Sequence, residues 1–246
     1  MKLDNKNIIV TGANRGIGAA IVRELLKHKV GKVYTATRKL ENLPDFGDKR
    51  AVPIMLDTAD AKQVVAATET AKDVQVVINN AGTANFGSII SGTMDSIAAD
   101  MNTNYYGTLS VIRAFVPVLQ RNGEGLIANV ASVAGLAPIT MFGSYSASKA
   151  ALHSATQCLR AELAGRGIHV AGIYPGPIDT DMTRDFKADK ASPQSTAEAI
   201  VAGLIAGKDY IFPDPMSEQV GPLWLKDPQG LEKQFAAFGT AEEKAA

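Results

Sequence analysis

The chain contains one cysteine, Cys158, so no disulfide can close within it, and a reducing compartment suits it. Its basic and acidic residues, 25 of each, cancel, and no long basic block interrupts the sequence. That balance disfavours nucleic acid or an anionic membrane as a partner. No stretch approaches the roughly 20 apolar residues that a spanning helix needs. The opening residues, Met1 to Lys6, lack the apolar centre of a secretory signal. A soluble, cytoplasmic protein is expected. Only three histidines occur, His28, His153 and His169, far apart and without acidic partners at ligand spacing. No metal site is expected from them. Cys158 reads as a packing residue rather than a catalytic one, and His153 as part of a crevice wall or a subunit interface.

What the chain does have is enough apolar content, 46%, for a substantial core, with no linker, repeat or low-complexity tract to divide it. Residues 1–246 therefore read as a single domain. Strand and helix signals alternate throughout, which argues for an α/β fold with a doubly wound parallel sheet. Strands are expected at 7–11, 32–37, 51–57, 74–79, 125–131, 169–174 and 209–212. Two long helices are expected at 94–120, with Pro117 placed to kink it, and at 144–164. The helix between the third and fourth strands has room to be only brief. After residue 212 the prolines 213, 215, 222 and 228 predict an irregular tail that packs on the pocket or on a neighbouring subunit.

Chemistry concentrates in short motifs. Tyr145 and Lys149 stand four apart on a predicted helix, so both side chains share a face. An ammonium beside a phenol favours the phenolate, which predicts a lowered Tyr145 pKa and a general acid/base. Thr11-Gly12-Ala13-Asn14-Arg15-Gly16-Ile17-Gly18 links a predicted strand to a predicted helix. Glycines at such a turn let a pyrophosphate reach the positive helix N-terminus. Their spacing, Gly-x-x-x-Gly-x-Gly, differs from the commoner Gly-x-Gly-x-x-Gly. Asn79-Asn80-Ala81-Gly82 ends the fourth predicted strand, and Ser132 follows the fifth, both on the side where open parallel sheets bind ligands. A serine there is placed to polarise a substrate carbonyl.

In combination these motifs resemble the short-chain dehydrogenase/reductase family, in its compact single-domain form, over residues from about 12 to about 212. The resemblance implies a Rossmann-like sheet of about seven strands in the order 3-2-1-4-5-6-7 with helices on both faces. It implies Asn104, Ser132, Tyr145 and Lys149 as catalytic residues, with Asn104 holding a water in a proton relay and Lys149 binding the nicotinamide ribose. It further implies cofactor contacts from Gly12, Asn14, Arg15, Gly16, Ile17 and Gly18. Others would come from Asp57 at the adenine, from Asn80, Ala81 and Gly82, and from Pro175, Gly176, Ile178 and Thr180. A mobile substrate lid is implied near 178–195.

At the end of the second strand Thr37, Arg38 and Lys39 stand where an NAD-binding acid would be, and no acid follows until Glu41. Arginine suits a 2′-phosphate, and Arg15 offers a second guanidinium, so NADPH is expected over NADH. Candidate wall residues, Asn85, Phe86, Val133, Ala134, Met141, Phe142, Pro177 and Met182, are mostly apolar. They point to carbonyl or secondary-alcohol substrates of small-molecule size. A 3-oxoacyl-thioester reductase and a non-catalytic NADPH-binding regulator are the alternatives. An alanine-rich helix face, Ala147, Ala150, Ala151 and Ala155, together with the resemblance, suggests a homodimer or homotetramer.

Overall fold

The structure is a computed structural model that describes residues 2–243, with side chains through Phe238. Seven strands form one sheet: β1 (Ile8–Thr11), β2 (Val33–Thr37), β3 (Ala51–Met55), β4 (Val76–Asn79), β5 (Gly125–Val130), β6 (Ile168–Ile173) and β7 (Tyr210–Ile211). Their order is β3-β2-β1-β4-β5-β6-β7, as expected, and every neighbouring pair is parallel. The strands start and stop within one or two residues of the expected limits.

Burial on both faces explains the strand sequences. β1, β2, β4 and β5 have no exposed residue, which a parallel sheet covered on each side requires. Alternation then sorts side chains between two cores. Ile8, Val10, Val76 and Ile78 face one core, with residues of α1 (Gly16–Leu26) and α6 (Pro193–Ile205). Ile9, Val77 and Ile127 face the other, built with α2 (Ala61–Thr70) and α4 (Thr108–Arg121). Phe115 of α4 is fully buried in that second layer.

The first long helix is divided. α3 (Met94–Asp100) passes into a π-helical turn, Met101–Gly107, before α4 continues through Pro117 to Arg121. The wide turn re-aims Asn104 inward, where it is fully buried. α5 (Gly143–Glu162) buries Ser148, Lys149, Leu152 and Thr156, a row at helical spacing. Cys158 falls off that row and is exposed, which corrects its reading as a packing residue. Ala147 and Ala150 are exposed as well, while Ala151 and Ala155 are partly covered.

The expected irregular tail is a pair of helices, α7 (Pro215–Lys226) and α8 (Pro228–Glu243). Pro215 occupies the first turn of α7 behind the capping residue Asp214, where a proline without an N–H costs nothing. Pro215 and Pro228 therefore mark helix starts, while Pro222 lies within α7. Among the described residues no helix is long and apolar enough to cross a membrane.

Phe115→Ala is expected to lower unfolding free energy by about 3–5 kcal/mol, the usual cost of emptying such a site, as read by urea denaturation.

Candidate active site

All four motif regions meet at the carboxyl ends of the central strands. Thr11 ends β1, and its hydroxyl accepts the backbone N–H groups of Asn80 and Ala81, each at 3.0 Å. The Asn80 amide donates in turn to the carbonyls of Thr11 (3.0 Å) and Gly12 (3.1 Å). This clamp presses two loops together so closely that side chains are excluded. A Cβ on Gly12, whose φ is +66°, would sit 2.9 Å from Cα of Ala81, and one on Gly18 would collide with the Gly12 carbonyl. The N-terminus of α1, which follows Asn14 and Arg15 and begins with Gly16 and Ile17, has no side-chain cap. An uncapped helix end over a side-chain-free cradle fits a pyrophosphate. A dinucleotide cofactor suits these residues.

The other residues expected to contact the cofactor have varied surroundings. Thr37 is buried and Arg38 exposed at the end of β2. Asp57 Oδ1 accepts the Ala59 N–H at 3.0 Å and so shapes a turn. Gly82 lies against Asn104 and Lys149. Pro175 supplies its carbonyl to Ser132, and Gly176 N donates to buried Asp214 at 2.8 Å. Ile178 is buried and bridges to Ala191, while Thr180 touches Gly16. The two ends of the segment between them and α6 are tied together: Asp179 N donates to Ala191 O at 2.9 Å, and Ala191 N to Pro177 O at 3.1 Å. Arg15 is engaged by this segment, through an ion pair to Asp181 at 2.9 Å.

Asn104, Ser132, Tyr145 and Lys149 lie together. Asn104 is spent on its neighbours: Oδ1 accepts from Thr83 N (2.9 Å), and Nδ2 donates to Thr83 O (2.9 Å) and Ser148 Oγ (2.8 Å). Lys149 Nζ donates to Val130 O at 2.7 Å and stands 5.6 Å from the centre of the Tyr145 ring. Burial pushes the ammonium down to about 8 and the phenol up to about 12. Hydrogen bonding to Ser132 opposes the rise in Tyr145, and the charge of Asp100 adds to it. The lowered Tyr145 expected from sequence is therefore corrected. Desolvation outweighs the lysine, which is aimed at a carbonyl instead of at the phenol.

Ser132 and Tyr145 open into a cavity otherwise lined by apolar groups, apart from Thr183. Of the expected wall, Val133, Ala134, Phe142, Pro177 and Met182 line it. Asn85, Phe86 and Met141 do not; Phe86 packs against Phe142 with the rings tilted and their centres 4.4 Å apart, and Asn85 is bound to Asp100. Sequence reasoning missed Phe186, Met216 and Phe238, which complete the wall from the lid, α7 and α8. Only the tail's apolar residues hinted at them. His153 lies elsewhere, with Nδ1 2.8 Å from the Tyr174 hydroxyl and its ring edge-on to Trp224. Among the described residues no group of histidine, cysteine and acidic side chains is placed to hold a metal.

A family model described as short chain dehydrogenase matches residues 6–191.

The chain belongs to the short-chain dehydrogenase/reductase family. Among its relatives is a ketoacyl reductase, HetN, of Nostoc sp., 28% identical over 98% of this chain and 91% of that one. An oxidoreductase of Staphylococcus saprophyticus is 32% identical over 83% of this chain and 93% of its own length. Among solved structures, a short chain dehydrogenase from Burkholderia cenocepacia J2315 in complex with NADP superposes with a TM-score of 0.90. It is 36% identical, and the match covers 96% of this chain and 99% of that one. The chain thus shares its fold with this relative over nearly its whole length.

Burying Lys149 has a stability consequence with a definite sign. Its folded pKa is depressed, so the unfolded chain binds the proton more tightly, and the penalty is full below about pH 8. The penalty fades as pH rises towards the unfolded value. Relative to wild type, Lys149→Met should therefore lose about 2 kcal/mol of stability between about pH 7 and about pH 9.5, measured by chemical denaturation at each pH.

Proposed function

We propose that the protein is an NADPH-dependent carbonyl reductase, working reversibly as a secondary-alcohol dehydrogenase, with Tyr145 as general acid/base. One observation carries the reading: Ser132 and Tyr145 converge on an apolar cavity, and a buried lysine, Lys149, stands beside the Tyr145 ring. The cradle of Gly12, Gly16, Gly18 and Ala81 would hold the pyrophosphate, with Gly82, Pro175, Gly176, Ile178 and Thr180 around the nicotinamide end. When bound, the nicotinamide supplies or accepts the hydride.

The side chains supply the rest. A carbonyl oxygen entering the cavity meets the Tyr145 hydroxyl and the Ser132 hydroxyl. The bond that Ser132 donates to Pro175 O is long, 3.3 Å, and a substrate oxygen would readily replace it. Its donor then faces the charge that develops during reduction. Tyr145 stays protonated through the neutral range, so it delivers the proton that completes the alcohol. Oxidation requires the opposite state of the phenol and is favoured by alkali. Lys149 would orient the cofactor ribose, and Asn104, whose two amide hydrogens are taken by Thr83 and Ser148, would act by holding α5 against the loop after β4. Apolar walls without a lysine or arginine favour neutral, moderately apolar ketones and aldehydes.

NADPH is supported by exposed Arg38, by the lack of an acid at the end of β2, and by the NADP held by the Burkholderia cenocepacia relative. Arg15 would have to leave Asp181 to add its charge. A second reading, 3-oxoacyl-thioester reduction, is favoured by the Nostoc relative's activity. The exposed alanines of α5 support self-association, which sedimentation would read.

The test follows NADPH and NADH oxidation against ketones, aldehydes and acetoacetyl thioesters. Tyr145→Phe is expected to lower kcat by about 10²–10⁴-fold with NADPH affinity retained. A variant that keeps most of its turnover refutes the assignment of the acid. Arg38→Ala is expected to weaken NADPH by roughly tenfold, about 1.4 kcal/mol, and to leave NADH unchanged.

A further inference from the structure

Asp100 is fully buried at the end of α3, a position where a carboxylate is costly unless its oxygens are satisfied. They are satisfied entirely by neutral donors. Oδ1 accepts from Thr83 Oγ1 (3.0 Å) and Asn85 Nδ2 (2.8 Å). Oδ2 accepts from Asn85 N (3.3 Å) and Ser144 Oγ (2.7 Å). Four donors on two oxygens fill the acceptor positions of a carboxylate.

These donors belong to the two segments that frame the active site. Ser144 immediately precedes Tyr145 on α5. Thr83 and Asn85 lie in the loop after Gly82, and Thr83 is also the partner of Asn104. A second hydrogen-bond path joins the same segments, from Thr83 through Asn104 to Ser148, whose hydroxyl donates to Tyr145 O at 2.7 Å. Asp100 is thus the only charged member of a network that spans α3, α5 and the 83–85 loop. Among the described residues, the titratable groups on packed elements that feel its charge are Tyr145 and Lys149. Lys149 is a buried cation outside this network, and its near partner is the neutral carbonyl of Val130.

We propose that Asp100 is a positioning residue for the oxidoreductase chemistry: its carboxylate fixes Tyr145 through Ser144 and, through its field, keeps Lys149 an ammonium in a dry site. This rests on the assignment of Tyr145 as the acid. Removing the charge while keeping the shape leaves Lys149 without its counter-charge. Removing only the Ser144 hydroxyl loosens α5 and leaves the field intact.

The two effects separate in Asp100→Asn and Ser144→Ala, made in the full chain. Two readouts are used: kcat for ketone reduction with saturating NADPH, and the titration of Lys149 by ε-¹³C lysine NMR without cofactor, assigned by its loss in Lys149→Met. Asp100→Asn should lower kcat roughly 10-fold to 100-fold and move the Lys149 midpoint down by about one pH unit. Ser144→Ala should lower kcat by roughly 3-fold to 10-fold and leave that midpoint in place. A folded Asp100→Asn with wild-type kcat, or with an unmoved Lys149, overturns the proposal. If Asp100→Asn does not fold, Ser144→Ala decides, and wild-type kcat there overturns it. A wild-type protein inert to every carbonyl would instead fail the reductase reading, while the lysine titration still tests the field of Asp100.

Discussion

Lys149 keeps its ammonium inside the protein, 2.7 Å from the Val130 carbonyl, and the surrounding architecture answers the cost of placing it there. A desolvated cation needs oriented dipoles or a counter-charge. The parallel sheet provides the first, because its central strands all end on one side and present carbonyls there. An amide ladder stiffens that end: Asn79 Nδ2 donates to Asn129 Oδ1 at 2.9 Å, and Asn129 Nδ2 to Thr156 Oγ1 of α5 at 3.0 Å. The ladder fixes α5 against β4 and β5, and α5 carries both Lys149 and Tyr145. Displacing the lysine would therefore disturb the seat of the phenol as well as its electrostatics.

How much of this was legible in the sequence depended on how local each constraint is. The Gly12–Gly18 turn, the Asn79–Gly82 segment and the four-residue step from Tyr145 to Lys149 are short-range patterns, and the structure brings all of them to one cleft. The two tail helices were not legible, because proline is read as a breaker, whereas Pro215 sits where α7 has no hydrogen bond to lose. Asp100 escaped notice because its donors lie 15 to 44 positions away, as with Asn85 and Ser144. The direction of the Tyr145 shift was misjudged for a related reason. Spacing along a helix places two side chains on one face, but it does not report how dry that face is or that the lysine has a carbonyl partner.

The same distinction applies to the nucleotide side of the cleft. Arg38 and Arg15 look alike in sequence, yet Arg38 stands exposed at the end of β2 while Arg15 reaches Asp181 on the opposite wall. That wall is held by backbone hydrogen bonds between Asp179, Ala191 and Pro177, so it resembles a hinged flap with a fixed base more than a loose strap. Both partners of the Arg15 pair are largely exposed, and such pairs contribute little to stability. Its significance is geometric, since it ties the glycine turn to the flap across the cleft.

Met216 and Phe238 reach the cavity from helices that follow the last strand, after every element of the sheet and every proton-handling residue is already in place. Part of the shape of the compartment is thus written in a stretch of chain separate from the proposed catalytic groups. Substitutions in α7 and α8 remodel the compartment without passing through β4, β5 or α5. A lineage with this layout is able to trade one substrate for another by drift in its final helices, keeping its chemistry unchanged while its selectivity diverges.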